Sequence, residues 1–161
     1  MTRILIPVLD SVNSGPAVRH VIDEFLHGEL MEVQLLHLPA SPTYRVAHWL
    51  LGKNGGAADK ALQSARDLLE RVHVPCAVHS GSGNKALAIN AAAQRLKTDR
   101  IVLGTARHWS ATRMTEDSVI QEVLDTAPVP VTLVAGKAVS RVEQYGVAAG
   151  LGATLWLILV E

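Results

Sequence analysis

Apolar and polar positions fall along this chain in an alternating series of short apolar runs and longer stretches with helical spacing. Arg3–Leu9 is an apolar run bounded by polar residues and reads as a buried strand. Asn13-Ser14 offers a helix N-cap, and Pro16 sits near the first turn, where a missing N–H costs nothing. Ala17, Val18, Val21, Ile22, Phe25 and Leu26 then share one helical face, and Gly28 supplies the stop. Glu32–Leu38 reads as the second strand. Ala40–Ala58 is a long connection between Pro39 and Asn54-Gly55-Gly56, with a helical turn at His48-Trp49-Leu50-Leu51. Asp59–Val72 is the second helix, its inward side carrying Leu62, Ala65, Leu68, Leu69 and Val72, and Pro75 breaks it. Cys76–His79 is a short third strand. Gly81-Ser82-Gly83-Asn84 forms a turn that caps a helix over Lys85–Leu96. Arg100–Leu103 is the fourth strand. The fourth helix opens near Ser118 and runs to Thr126, with Val119, Ile120, Val123 and Leu124 inward. Pro128 and Pro130 close it before a fifth strand at Val131–Val134.

This βαβαβαβαβ series predicts an α/β fold, an open five-stranded parallel sheet with helices on both faces. Ligands of such sheets bind outside the carboxyl ends of the strands. That edge gathers Leu9-Asp10, Leu38, His79–Gly81 and the segment from Gly104 to Ser118. The domain is expected to span residues 1–136. Residues 137–161 make up a polar linker, Lys137–Gln144, and an apolar tail, Val147–Val160. The tail has about 14 residues, fewer than the roughly 18 expected of a spanning helix. Three uses fit it: packing on a partner subunit, contact with a membrane surface, or a mobile extension. It carries no lysine or arginine, which disfavours the membrane surface.

Composition narrows the function classes. Lysine plus arginine equals aspartate plus glutamate, 15 each, so no basic footprint for nucleic acid is present. Aromatic residues make up only 4% of the chain, so the core is aliphatic. The lone Cys76 excludes an internal disulfide and a multi-cysteine metal site, and reads as a buried, reduced thiol. A cytoplasmic protein without a signal peptide is the expectation. The seven histidines are scattered, and none pairs with another at helical metal-ligand spacing. His37 and His79 stand at strand ends where they can approach each other, and His37 reads as a satisfied strand-end histidine. Ser11 and Ser14 near Asp10 lack the glycine-flanked elbow of a hydrolase nucleophile.

Several segments in order resemble the universal stress protein family. Arg3-Ile4-Leu5-Ile6-Pro7-Val8, followed by Asn13-Ser14 and Ala17-Val18, looks like the family's opening strand and first helix. Gln34-Leu35-Leu36-His37-Leu38 is similar to its second strand, and Gly81 through Ile89 to its turn and third helix. Asp99-Arg100-Ile101-Val102-Leu103-Gly104-Thr105 resembles the fourth strand. Ala127-Pro128-Val129-Pro130-Val131 resembles the entry to the last. The resemblance covers roughly residues 3–135. It implies a Rossmann-like, adenine-nucleotide α-hydrolase-like fold and a homodimer paired through Val131–Val134. It also implies a nucleotide cradle at Gly104, Thr105, Arg107, Asp117 and Ser118, with the Leu38 main chain near the base.

The chain departs from the family's ATP-binding pattern, which is glycine, two residues, glycine, nine residues, glycine, then serine or threonine. Gly104 matches the first position and Ser118 the last, but Arg107 and Asp117 replace the two other glycines. Glycine lets main-chain N–H groups approach an anion. Arg107 adds bulk but is itself able to contact a phosphate. Asp117 brings a like charge, and two unit charges about 4 Å apart interact by roughly 4 kcal/mol at an effective dielectric near 20. The two side chains can instead pair with each other and close the cradle. As a structural element, Asp117 stands just before the helix, where aspartate is a favoured N-cap, and Gly104-Thr105 makes a strand-end turn. The family's acidic residue after the first strand falls on Leu9. Asp10 replaces it only if the strand has ended there, because one residue of shift reverses the face. The first expectation is a non-enzymatic stress-response regulatory protein with a degenerate cradle. The second is an ATP-binding or adenine-nucleotide-binding protein with at most slow hydrolysis. The third is a membrane-associated interaction module recruited by the tail. No metal is expected.

Overall fold

The structure, a computed structural model, describes residues 1–9, 14–39, 57–105 and 113–136. Among these residues five strands alternate with four helices: β1 (Thr2–Val8), α1 (Ser14–Leu26), β2 (Met31–His37), α2 (Ala57–Arg71), β3 (Cys76–Ser80), α3 (Lys85–Leu96), β4 (Arg100–Thr105), α4 (Arg113–Thr126) and β5 (Val131–Ala135). The strands form one parallel sheet in the order β3-β2-β1-β4-β5. The order reverses between β1 and β4, so the crevice at their carboxyl ends is the topological switch point.

The strand period of two divides the apolar side chains between two cores. Ile4, Ile6 and Val8 of β1 join Val33 and Leu35 of β2 under α1 and α2. Leu5 joins Leu36, Leu38, Ile101 and Leu103 under α3 and α4. β1 is therefore covered on both faces, which explains its near-continuous apolar sequence. On α1 the face formed by Ala17, Val18 and Val21 is buried, but Leu26 is 67% exposed. The apolar stripe read through Leu26 outruns the core by one residue, because the helix ends there and turns at Gly28 with φ of 99°.

Helix α3 matches the expected bounds because both ends are specified locally. Asn84 is its N-cap, its side chain accepting from Leu87 N–H at 3.1 Å. Lys97 closes the other end in the left-handed region and donates its N–H to Ala93 and Gln94 carbonyls. The amino ends of β1 and β4 are tied together by Asp99. Its N–H donates to the Arg3 carbonyl at 2.8 Å, and its carboxylate accepts from Arg3 N–H at 2.7 Å.

A second tie joins the outer end of α1 to β4. The Arg100 guanidinium grips the Glu24 carboxylate in a two-pronged contact, one arm at 3.1 Å, in a partly buried setting where His20 approaches the same carboxylate at 3.4 Å. Hydrogen bonds to charged groups contribute about 1.5–3 kcal/mol when well formed. Glu24→Gln is expected to cost about 1–2 kcal/mol in urea unfolding. Pairing it with Arg100→Met is expected to recover part of that loss, which a double-mutant cycle reads directly.

Candidate functional site

The carboxyl ends of β1, β2 and β4 converge through main-chain bonds beyond the regular ladders. Leu38 N–H donates to the Val8 carbonyl at 3.0 Å, and Gly81 N–H to the His37 carbonyl at 2.9 Å. Gly136 N–H donates to the Thr105 carbonyl at 2.8 Å. A Cβ at Gly136 would stand 3.1 Å from that carbonyl and 3.5 Å from Pro16, so the opening of α1 lies beside the ends of β4 and β5.

Strand β1 ends at Val8 and Leu9 lies beyond it, so the condition for Asp10 to stand in for Leu9 is met. Asp10 and Arg107 themselves lie outside the described residues, as do the 48–51 turn, most of the long connection and the tail. Gly104 and Thr105 are not a strand-end turn. They belong to β4 and pair with Val134 and Ala135. The ladder carries on through them because β5 offers two more partners than a four-residue strand uses.

The fourth helix is the main correction. It opens at Arg113 rather than near Ser118, so Asp117 is not an N-cap but the fifth helical residue, with Ser118 after it. Arg113, Met114 and Glu116 are good helix formers, and no glycine interrupts the run where the family pattern places one. An α-helix leaves only its first four N–H groups without intrahelical acceptors. Here those belong to residues 113–116, so the N–H groups of Asp117 and Ser118 are used inside the helix.

Leu38 is 2% exposed, and its N–H is held by Val8, so it has no free donor for a base. Its side chain sits so close to Gly81 that a Cβ there would lie 2.7 Å from Leu38 Cδ2. A cavity of about 200 Å³ opens beside it, between β2, the end of β3 and α3, lined by Leu36, Ser80, Gly81, Ala88, Ala92 and Arg95 among others. β1 separates β2 from β4 in the sheet, so this cavity lies off the switch-point crevice.

The histidines divide differently from expectation. His37 and His79 point to opposite faces, because the register pairs His79 with Leu36 and His37 with Ser80. His79 shares a 2.6 Å hydrogen bond with the buried Gln34 side chain. His37 Nε2 lies 3.2 Å from Asp59 Oδ1 of α2, yet has no well-aligned hydrogen bond. The contact is electrostatic, and only when the ring is protonated. His37 is therefore not the satisfied histidine that its strand-end position suggests. Cys76 is half-buried rather than buried, and the removal of its thiol from water raises its pKa, which disfavours the reactive thiolate. Among the described residues no group of three histidine, cysteine or acidic side chains is placed to hold a metal ion. Among them, too, no helix is long and apolar enough to cross a membrane.

The model of the universal stress protein family matches residues 1–135. The chain belongs to the universal stress protein family. Solved structures share its fold. A hypothetical protein designated MJ0577 is 24% identical, with 86% of this chain and 98% of that one covered and a TM-score of 0.65. A universal stress protein of Arabidopsis thaliana, solved with AMP bound, is 17% identical over 86% of this chain and 94% of its own, with a TM-score of 0.61. The universal stress protein from Archaeoglobus fulgidus in complex with dAMP is 17% identical over 83% and 98%, with a TM-score of 0.56. Among curated proteins none matches the chain. Relative to the family's ATP-binding pattern, the distinctive features here are Arg107 and Asp117. The early start of α4 escaped the apolar pattern, because its first turn lies outside the stripe of Val119, Ile120 and Val123.

Gly81 and Leu38 give a direct check on how tightly the floor of this edge is packed. Gly81→Ala is expected to destabilise the protein by about 1–2 kcal/mol, in the range of small overpacking changes. In a Leu38→Ala background the same substitution is expected to cost little, which thermal or urea unfolding of the four variants measures.

Proposed function

We propose that this member of the universal stress protein family acts as a non-enzymatic regulatory protein whose nucleotide cradle is degenerate. What supports this reading is that two main-chain positions at this edge have their donors engaged within the fold. Leu38 N–H is bonded to Val8, and helix geometry places the free N–H groups of α4 at 113–116, ahead of the Asp117-Ser118 step. The sequence adds a carboxylate at Asp117 where a triphosphate would bring like charge. Residues in this arrangement do not fit ATP as the family's glycine pattern would hold it.

Adenine-nucleotide binding is the second reading. It is favoured by the AMP and dAMP complexes of proteins sharing this fold, and in it Gly104, Thr105, Arg107 and Ser118 surround the phosphates. Arg107 would then replace glycine amides by a side-chain contact. In either reading β5 is an edge strand, and its outer main-chain groups suit pairing with a twofold copy through Val131–Val134. Sedimentation equilibrium is then expected to return twice 17.2 kDa.

Thermal unfolding with nucleotide separates the two. A ligand present at its own dissociation constant adds only about 0.4 kcal/mol, and one at 100 times that constant about 2.7 kcal/mol. With 1 mM AMP or ATP, the natural chain is expected to gain less than the first figure. Arg107→Gly combined with Asp117→Gly is expected to tighten binding by about tenfold or more, worth about 1.4 kcal/mol. A large shift in the natural chain overturns the degenerate cradle and establishes the second reading. ATP turnover that is lost on Ser118→Ala overturns the non-enzymatic role.

A further inference from the structure

Beside Leu38 the sheet and α3 stand apart and leave a cavity of about 200 Å³ that opens to solvent. Leu36 of β2, itself buried, borders it, with Gly81 just past the end of β3. The α3 wall is Ala88, Ala91 and Ala92, and Arg95 follows on the same helical face. Three alanines leave space that longer aliphatic side chains would fill. Gly81 adds nothing to fill it, and a Cβ there would stand 2.7 Å from Leu38 Cδ2 and 3.6 Å from Ala88 Cβ. Well-packed interiors keep few voids larger than a water molecule, so a space of this size against a buried leucine is room for a ligand.

The lining has one sign of charge. Leu36 and Ala92 are buried, whereas Ser82 and Arg95 are exposed at the rim, and no aspartate or glutamate lines the cavity. Arg3, Arg66 and Arg100 each lie against a carboxylate. Among the described residues Arg95 has no such partner and makes no side-chain hydrogen bond. Arg19 and Arg71 also lack a carboxylate, but neither lines this cavity. Arg95 stands in the last turn of α3, where its charge suits the helix dipole, a role that leaves its N–H donors without a protein acceptor. The planar donors of a guanidinium match the two oxygens of a carboxylate. One cation balances one negative charge, so a phosphate dianion asks for more than this lining supplies. A cavity of about 150 Å³ holds benzene, so this one has room for a short aliphatic chain.

We propose that this cavity binds a small aliphatic monocarboxylate, its chain against Leu36, Ala88 and Ala92 and its carboxylate on the Arg95 guanidinium. The site is built from β2, the end of β3 and α3, on the other side of β1 from β4. It is separate from the switch-point crevice and needs no nucleotide, so it stands whichever reading of the cradle holds.

Hexanoate is the probe, followed by nuclear magnetic resonance of the isotope-labelled full-length chain. It is expected to move the amide signals of Gly81, Ala88, Ala91 and Ala92 and the Arg95 Nε–H signal together and saturably. A dissociation constant in roughly the millimolar range is expected of so small a ligand. Hexanol, equally long but uncharged, is expected to bind about tenfold more weakly. Arg95→Gln is expected to weaken hexanoate by about the same factor and to leave hexanol unchanged, which separates loss of the charge contact from loss of the fold. Ala91→Leu, at an exposed position, is expected to weaken both by filling the space. Shifts that stay linear to the highest concentration overturn the proposal, as does hexanoate binding that Arg95→Gln leaves intact. Shifts centred on Gly104 and Thr105 place the anion in the crevice instead and overturn it. Inorganic phosphate that saturates the same signals as tightly as hexanoate makes this a simple anion site and also overturns it. If Ala91→Leu does not fold, which circular dichroism checks, the Arg95→Gln titrations decide alone.

Discussion

Burial of β1 on both faces is the constraint from which the rest of this domain follows. Its side chains alternate between two cores, and each core needs its own layer of helices. Fully burying a large aliphatic side chain contributes about 1.5–3 kcal/mol. Ile4, Leu5, Ile6 and Val8, all fully buried, therefore tie both layers to one strand. The strand order reverses beside β1, so the same strand that centres the cores also borders the crevice where ligands of such folds bind.

Ordinary secondary-structure bonding continues to the borders of that crevice. Leu38 extends the β1–β2 ladder by one bond, Thr105 extends β4 towards Gly136, and α4 grows back to Arg113. Arg107 and Asp117 stand where the family's ATP-binding pattern has glycine, and a loop without glycine has less freedom to present its N–H groups to an anion.

The two margins of the sheet are finished differently. At β3 the short edge strand carries a histidine bonded to a buried glutamine, and the adjoining cavity has the polar atoms of Ser80 and Arg95. At β5 the margin is aliphatic, with Leu124 and Leu133 half in solvent. The β3 margin is thus the more polar of the two.

The sequence by itself determined the order and type of the nine elements among the described residues, the aliphatic core and the family, because strand and helix periods are local properties of a chain. It also located α3 to the residue, since Asn84 and the left-handed Lys97 act within a few bonds of the helix ends. The tertiary structure alone decided where α4 begins, whether Gly104 and Thr105 join a strand, and which face His37 and His79 occupy. Those outcomes depend on what a distant segment offers. A neighbouring strand lengthens β4, and register sets the two histidines apart. The fate of the Leu38 N–H rests on a carbonyl in β1 far from it in the chain, which no local pattern in Gln34–Leu38 encodes.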